Sequence, residues 1–293
     1  MFKRQIILLA LLEEFGGELP GTELMKYLFL LTRNQIKKSY HFIPYKFGCF
    51  SFQAYSDKRT FIHKGFLENV DKWKRSNNKK KFGDLLSQKD RFLLKKIKDN
   101  FGHLKGNDLI KFVYLKYPYY AIKSEILDEV LDKSEVTRIK RNIPKKIGYA
   151  LFTIGYEGRS LEEYINCLIG EDIRLLCDLR KNPLSRKYGF SKSILKKSIE
   201  SIGIEYIHFP GLGISSEKRE NLNTPDDYNR LLYRYDKDIL DNRNDLLKKI
   251  SQLLQKNKRI ALTCFEKNPG FCHRSHVATA VSRLTSNIPV RDL

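Results

Sequence analysis

Acidic, basic and thiol side chains recur at the ends of short apolar runs in the second half of the chain. Taken in order, those ends supply Thr153, Gly155, Tyr156 and Gly158, then Asp178 and Arg180, then His208 and Gly211, then Cys264 and Glu266. The segment KNPGFCHRSH follows and brings Cys272, His273 and Arg274 to the start of a helical stretch. Asp178 and Glu266 are candidates for an acid/base pair. Burial in an apolar crevice raises one carboxyl pKa while a nearby guanidinium lowers the other, separating proton donor from acceptor. Such a pair suits cleavage at a sugar carbon, including the N-glycosidic bond of a nucleotide. Arg180, Arg186 and Arg274, with the open amides of the helix start, would hold phosphate. Gly155, Tyr156, His208, Cys264, Cys272 and His273 would line the same crevice, and Tyr156, Tyr188 or Phe190 could stack on a base. In the plainer alternative, Asp178 with Arg180 or Arg274 is a buried ion pair that ties strand ends together.

The five cysteines, at 49, 167, 177, 264 and 272, form no framework suited to a small secreted scaffold. Cys264, Cys272, His273 and His276 could assemble zinc, with Cys272 and His276 on one helix face. The eight-residue step from Cys264 to Cys272 is not a paired-knuckle spacing and no CxxC exists, so no cofactor is expected. A Cys272 thiolate at a helix start is a further candidate nucleophile, because the helix dipole lowers its pKa. Cys167 and Cys177 are expected in the core.

Strands alternating with helices must position these groups. ALFTIGYEG, RLLCDLR, EYIHFPGLG and RIALTCFE read as buried strands. Between and after them, SLEEYINCLIG and SKSILKKSIESIG read as helices capped by Ser160 and Ser191, and RSHVATAVSRL as a last helix. This alternation predicts a small, mostly parallel α/β sheet with helices on both faces, whose polar strand ends converge on one crevice. The stretch GISSEKRENLNTPDDYNRLLYRYD is long and polar, like a lid or binding loop. IGYEGRSLEEYI, CDLRKNPLSRKYGFSK, IEYIHFPGLG and CFEKNPGFCHRSHVA together resemble the domain-of-unknown-function 488 family over about 148–285. The resemblance implies a small α/β domain and suggests the handling of nucleic-acid bases or nucleotides.

The first half reads differently. A helix from about Lys3 to Phe15 stops at Gly16-Gly17, and a second begins near Pro20-Gly21-Thr22 with Thr22 as its N-cap. The aromatic run YHFIPYKFGCFSF leads into a helix from Gln53 to His63, and WKRSNNKKKF reads as a hairpin with a basic tip. Three helices and a two-stranded wing make a mainly α winged helix-turn-helix domain over 1–83. The segment also resembles small bacterial and archaeal winged-helix domains with a similar PYK-G-FSF turn, over about the first 75 residues. Lys58, Arg59 and Lys64 on the candidate recognition helix, and Lys74, Arg75, Lys79, Lys80 and Lys81 on the wing, are the expected nucleic-acid contacts. A helical extension and basic linker fill 84–147, where Tyr114, Tyr117, Tyr119 and Tyr120 are expected to pack helical layers. The α/β domain occupies 148–293.

Charge agrees with this division. The chain carries 55 basic and 34 acidic residues, a net of +21. Residues 1–147 hold 31 basic and 16 acidic side chains against 24 and 18 in residues 148–293, so the excess sits in the first half. Such an excess favours a polyanionic partner, DNA above all, with a nucleotide ligand for the second half. The first apolar run, Ile6 to Leu12, is followed by Glu13 and Glu14 and no cleavage site, and no apolar stretch reaches membrane-spanning length. A cytoplasmic protein without a membrane partner is expected, with a homodimer open because winged domains often act in pairs. The sequence therefore points to a DNA-binding enzyme that processes nucleic acid or nucleotides. A ligand-sensing transcriptional regulator and an interaction module of a phage-defence system remain alternatives.

Overall fold

The computed structural model describes residues 1–77, 80–215, 217–219, 222 and 224–293. The chain divides into two compact units, Met1–Ile143 and Pro144–Leu293. Pro144 thus opens the second unit, close to the expected 147/148 boundary.

In the first unit, α1 (Lys3–Glu14) has every residue from Ile7 to Leu12 buried, as a helix apolar on all sides must be. Gly16 and Gly17, both at positive φ, end it. A short strand, β1 (Glu18–Leu19), precedes α2 (Gly21–Arg33). The N-cap of α2 is Pro20, not Thr22, and it makes no side-chain capping bond. The aromatic run folds as a hairpin, β2 (Ile43–Tyr45) against β3 (Gly48–Phe50). Gly48 turns it at φ 89°, where a Cβ would stand 2.5 Å from the Tyr114 ring. Ser51 then caps α3 (Phe52–His63) by accepting a bond from the Ala54 amide.

The second hairpin differs from the expected one. Its arms run through Leu67 and Arg75, which face each other, and β4 (Trp73–Lys74) also pairs with β1. The turn therefore falls at residues 69–72, upstream of the lysine run. Trp73 explains the shift: it is 1% exposed, so this strand must lie on the core with β1. The helices α4 (Gln88–Phe101) and α5 (Gly106–Lys116) follow. They add Leu94, Ile97, Leu109 and Val113 to the cluster already formed by α1 and α2, so the helical extension shares one core with the first 83 residues. Tyr114 is buried with them, and α6 (Leu127–Val130) and α7 (Lys133–Lys140) complete the unit.

The second unit is a five-stranded parallel sheet. Its strands are β5 (Ala150–Gly155), β6 (Leu175–Asp178), β7 (Glu205–His208), β8 (Arg259–Cys264) and β9 (Val290–Asp292). They are ordered β7-β6-β8-β5-β9 and every pairing is parallel. All residues of β5, β6 and β8 are buried, as strands covered on both faces require. On one face, Leu151, Leu175, Ile260 and Leu262 pack against α11 (Asn244–Asn257) and α12 (His273–Leu284). On the other, the Tyr164 hydroxyl of α8 (Leu161–Gly170) donates to Thr263 Oγ1 of β8 at 2.8 Å. The helix α9 (Lys192–Glu200) joins β6 to β7. The capping box of Ser160 and Glu163 forms as expected, whereas Ser191 makes no side-chain cap. Two elements depart from the sequence reading. Half of the polar lid segment is a helix, α10 (Pro225–Tyr235), begun by a Thr224–Asp227 capping box. The fifth strand, β9, is three exposed residues with no apolar pattern to announce it.

Candidate active site

Gly155, Asp178, His208 and Cys264 end β5, β6, β7 and β8. The strand register sets Gly155 beside Cys264, and Asp178 beside both His208 and Thr263, so these four ends meet at one edge of the sheet. Gly155 has a steric task there. A Cβ on it would stand 1.8 Å from the Glu266 carbonyl oxygen, so only glycine lets the loop after β8 cross β5 this closely.

Asp178 is fully buried and its carboxylate is saturated. Arg180 Nε donates to Oδ1 at 2.8 Å and Nη2 to Oδ2 at 2.5 Å. The Tyr206 hydroxyl donates to Oδ2 at 2.5 Å, and the Arg180 amide to Oδ1 at 3.1 Å. Burial alone would depress the Arg180 pKa, but the carboxylate beside it holds that pKa above the ordinary value. The same guanidinium donates to the Phe190 carbonyl at 2.6 Å and to the Tyr156 hydroxyl at 3.3 Å. The Asp178–Glu266 acid/base pair is therefore not what the fold assembles. Asp178 is tied to Arg180 and Tyr206, and the ion-pair alternative describes it. Tyr156 and Phe190 are likewise occupied, since their buried rings stack on each other at 4.3 Å and 9° and offer no face to a base.

Arg274 is also engaged. Wholly buried, it donates to the carbonyls of Glu266 and Lys267, the latter at 3.1 Å, and to Asp292 Oδ1 at 3.2 Å. It clamps the loop after β8 to β9 instead of presenting a phosphate hook. His208 Nε2 donates to the Arg180 carbonyl at 2.8 Å, which fixes the turn after β6. Of the three arginines expected to hold phosphate, Arg186 is the exposed one.

The remaining groups form a second cluster at the same edge. Cys264, Cys272 and His273 are all buried, and one ligand atom from each lies within 4.8 Å of the others. Cys264 Sγ is 3.8 Å from His273 Nδ1, and His273 Nε2 donates to the Leu179 carbonyl at 3.3 Å. Arg219, on the turn Glu217–Arg219, reaches into this cluster. It bonds Glu266 Oε1, stands 3.2 Å from His273 Nδ1 and lies 3.8 Å from Cys264 Sγ. The other carboxylate oxygen, Glu266 Oε2, is buried with no hydrogen-bond partner among the described residues. Burial, then the Cys264 charge, raise the Glu266 pKa, and Arg219 only partly offsets them. The two thiols diverge. Burial pushes both up, yet the Cys272 S–H and the Arg219 charge carry Cys264 well below the ordinary thiol range, while Cys272 is driven well above it. His276, the expected fourth metal-site residue, lies outside this cluster: its Nδ1 is 2.9 Å from Asp236 Oδ1.

Residues 160–281 match the family model described as Domain of unknown function DUF488. No curated protein and no solved structure matches the chain. The DUF488 match takes in Asp178, Arg180, His208, Cys264, Glu266, Cys272, His273 and Arg274. It leaves out Gly155, Tyr156 and Asp292, which β5 and β9 add from outside. Within the DUF488 segment the sequence reading missed Arg219 and Tyr206. Arg219 lies in an irregular polar stretch without periodicity, and Tyr206 reads as one more β-strand aromatic. Asp292 could not be recognised before its strand was.

Outside the DUF488 match, the basic residues of the first unit separate into two groups. Lys58 is 8% exposed, and its Nζ donates to the carbonyls of Val70 and Asp71 at 3.0 and 2.9 Å. It ties α3 to the hairpin turn and does not face solvent. Lys74 pairs with Glu68 at 2.9 Å yet keeps 44% of its side chain exposed, whereas Arg75 pairs with Glu13 and is mostly buried. Arg59, Lys64, Lys80 and Lys81 are exposed. Lys79 lies outside the described residues.

Proposed function

We propose that this protein is a nucleic-acid- or nucleotide-processing enzyme whose first unit binds DNA and whose second unit transfers protons through Glu266. The observation that carries this reading is the setting of that one carboxylate. It stands at the carboxyl edge of a parallel sheet, where ligands of such folds bind. One oxygen is on a guanidinium and the other is buried without a hydrogen bond among the described residues. A carboxyl group so placed, with its pKa raised by burial, is suited to general acid or base work. The Asp178–Arg180–Tyr206 network is the scaffold that fixes the turn beside it.

DNA binding by the first unit is supported by three helices with a strand after the first and a hairpin after the third, an order that resembles a winged helix-turn-helix domain apart from the β2–β3 hairpin inserted between α2 and α3. Its 29 basic against 16 acidic side chains over residues 1–143, a net charge of +13, support it as well. The exposed cations Arg59, Lys64, Lys80 and Lys81 are the proposed phosphate contacts.

The test is Glu266→Gln, which keeps the shape and removes the titrating proton. Turnover of DNA, RNA or free nucleotides is expected to fall about 100- to 10,000-fold, the usual contribution of a general acid or base, with thermal unfolding little changed. Unaltered turnover by E266Q would exclude Glu266 as the proton carrier. Ligand-dependent operator binding with no turnover in the parent protein would favour the transcriptional regulator instead.

A further inference from the structure

Arg219 fills a pocket that is otherwise built of soft metal ligands. Two thiols and an imidazole converge from β8 and the start of α12, and a carboxylate stands beside them. Their spacing suits one ion. With metal–sulfur and metal–nitrogen bonds of about 2.3 and 2.05 Å, tetrahedral coordination sets sulfur and nitrogen about 3.6 Å apart. The Cys264 Sγ to His273 Nδ1 distance is 3.8 Å.

The imidazole is also oriented as a ligand. A carbonyl can only accept, so the Nε2 that meets Leu179 O carries the hydrogen, and Nδ1 turns its lone pair toward the thiols. The bond from Arg219 Nη2 to the same Nδ1 requires that tautomer too. Metal-bound histidines are held by this kind of outer bond to a carbonyl.

We infer that Cys264, Cys272 and His273 form a binding site for a zinc-class divalent ion, whose fourth position is the place now taken by the Arg219 guanidinium. That guanidinium touches Glu266, so the fourth position faces the carboxylate. The ion and Arg219 are then alternative cations for one electron-rich pocket. Binding releases the remaining thiol proton, that of Cys272, to solvent, and Arg219, whose side chain is already 25% exposed, moves outward. The inference deepens the reading of Glu266 above, because it places a Lewis-acid position next to the proton carrier.

Cobalt(II) is the probe, added to the full-length protein after chelation and dialysis. The expected result is one ion per chain, with the visible bands of tetrahedral cobalt and a thiolate-to-cobalt charge-transfer band. C264S and C272S should each weaken binding at least about 100-fold, since loss of an outer-shell partner alone costs 10- to 100-fold. R219A should tighten it about tenfold, because a cation that competes at close range is removed. H276A should leave the spectrum unchanged. Thermal unfolding of each variant separates lost ligands from lost fold, and the R219A gain does not depend on cysteine variants that fold. Absence of cobalt bands in both the parent protein and R219A would overturn the site. So would bands that persist in the C264S/C272S double variant, or an R219A affinity equal to the parent's. Cobalt binding needs no substrate, so the site and the role of Glu266 in turnover can fail separately.

Discussion

Neighbouring carboxylates at one sheet edge have opposite fates because their partners differ. Asp178 receives four hydrogen bonds inside a fully buried network, two of them from a guanidinium. Removing its charge leaves Arg180 buried beside a weak acceptor. D178N is therefore expected to lower the stability of the second unit by about 3–5 kcal/mol in denaturant unfolding, the usual effect of breaking a buried ion pair. If D178N matched the parent in unfolding midpoint, the anchoring role would be lost. Lys26, in the first unit, is buried in a comparable way but without a carboxylate. Its ammonium donates to the Phe47 carbonyl, and burial lowers its pKa, with Cys49 opposing weakly. Between that lowered pKa and the ordinary lysine value, the unfolded chain holds the proton and the folded one does not. Stability must then rise with pH across that window. K26M should remove this contribution, so that the stability difference between parent and variant shifts in the parent's favour as pH rises toward the ordinary lysine value. A difference independent of pH would contradict it.

Among the elements, the hairpin after α3 shows how a buried side chain overrides local charge. A run of lysines suggested a basic tip, but the packing of Trp73 and the pairing of β4 with β1 move the turn upstream. Lys58 then serves that turn through two carbonyls. Charged hydrogen bonds are each worth about 1.5–3 kcal/mol, so K58M, which removes two, is expected to destabilise the first unit by at least about 1.5–3 kcal/mol. It should leave the salt dependence of DNA binding unaltered. A K58M protein that is as stable as the parent but has a shallower salt slope would return Lys58 to the nucleic-acid interface. In the second unit, the turn Glu217–Arg219 and the loop after β8 play the corresponding part, since each carries one charged side chain into the cluster at the sheet edge.

For the whole molecule, the two units divide the work proposed for them. In that proposal the basic first unit supplies affinity for a polyanion, an affinity that must weaken with salt through counterion release. Replacing Arg59, Lys64 and Lys81 together by Ala should reduce the slope of log affinity against log salt by about 0.9 for each phosphate that is no longer neutralised. Unchanged binding and slope in that variant would remove this face from the interface. Among the described residues, no helix is long and apolar enough to cross a membrane.

Periodicity and capping chemistry made most of the architecture legible from the chain itself. The buried strands β5, β6 and β8, the Ser160 capping box and the glycine stop after α1 are all local patterns, and local patterns survive without coordinates. So does the gathering of strand ends at one edge, because parallel strands with helical crossovers permit no other placement. Which polar group meets which was decided by tertiary structure alone. Asp178 and Glu266 look equivalent as strand-end carboxylates, yet Arg180 and Tyr206 close around the first, and an arginine 47 residues upstream reaches the second. The same holds for His273 over His276, and for Lys58 turned inward while Arg59 remains in water. Hydrogen-bond partners and burial depend on pairings between residues far apart in sequence, and no local pattern encodes them.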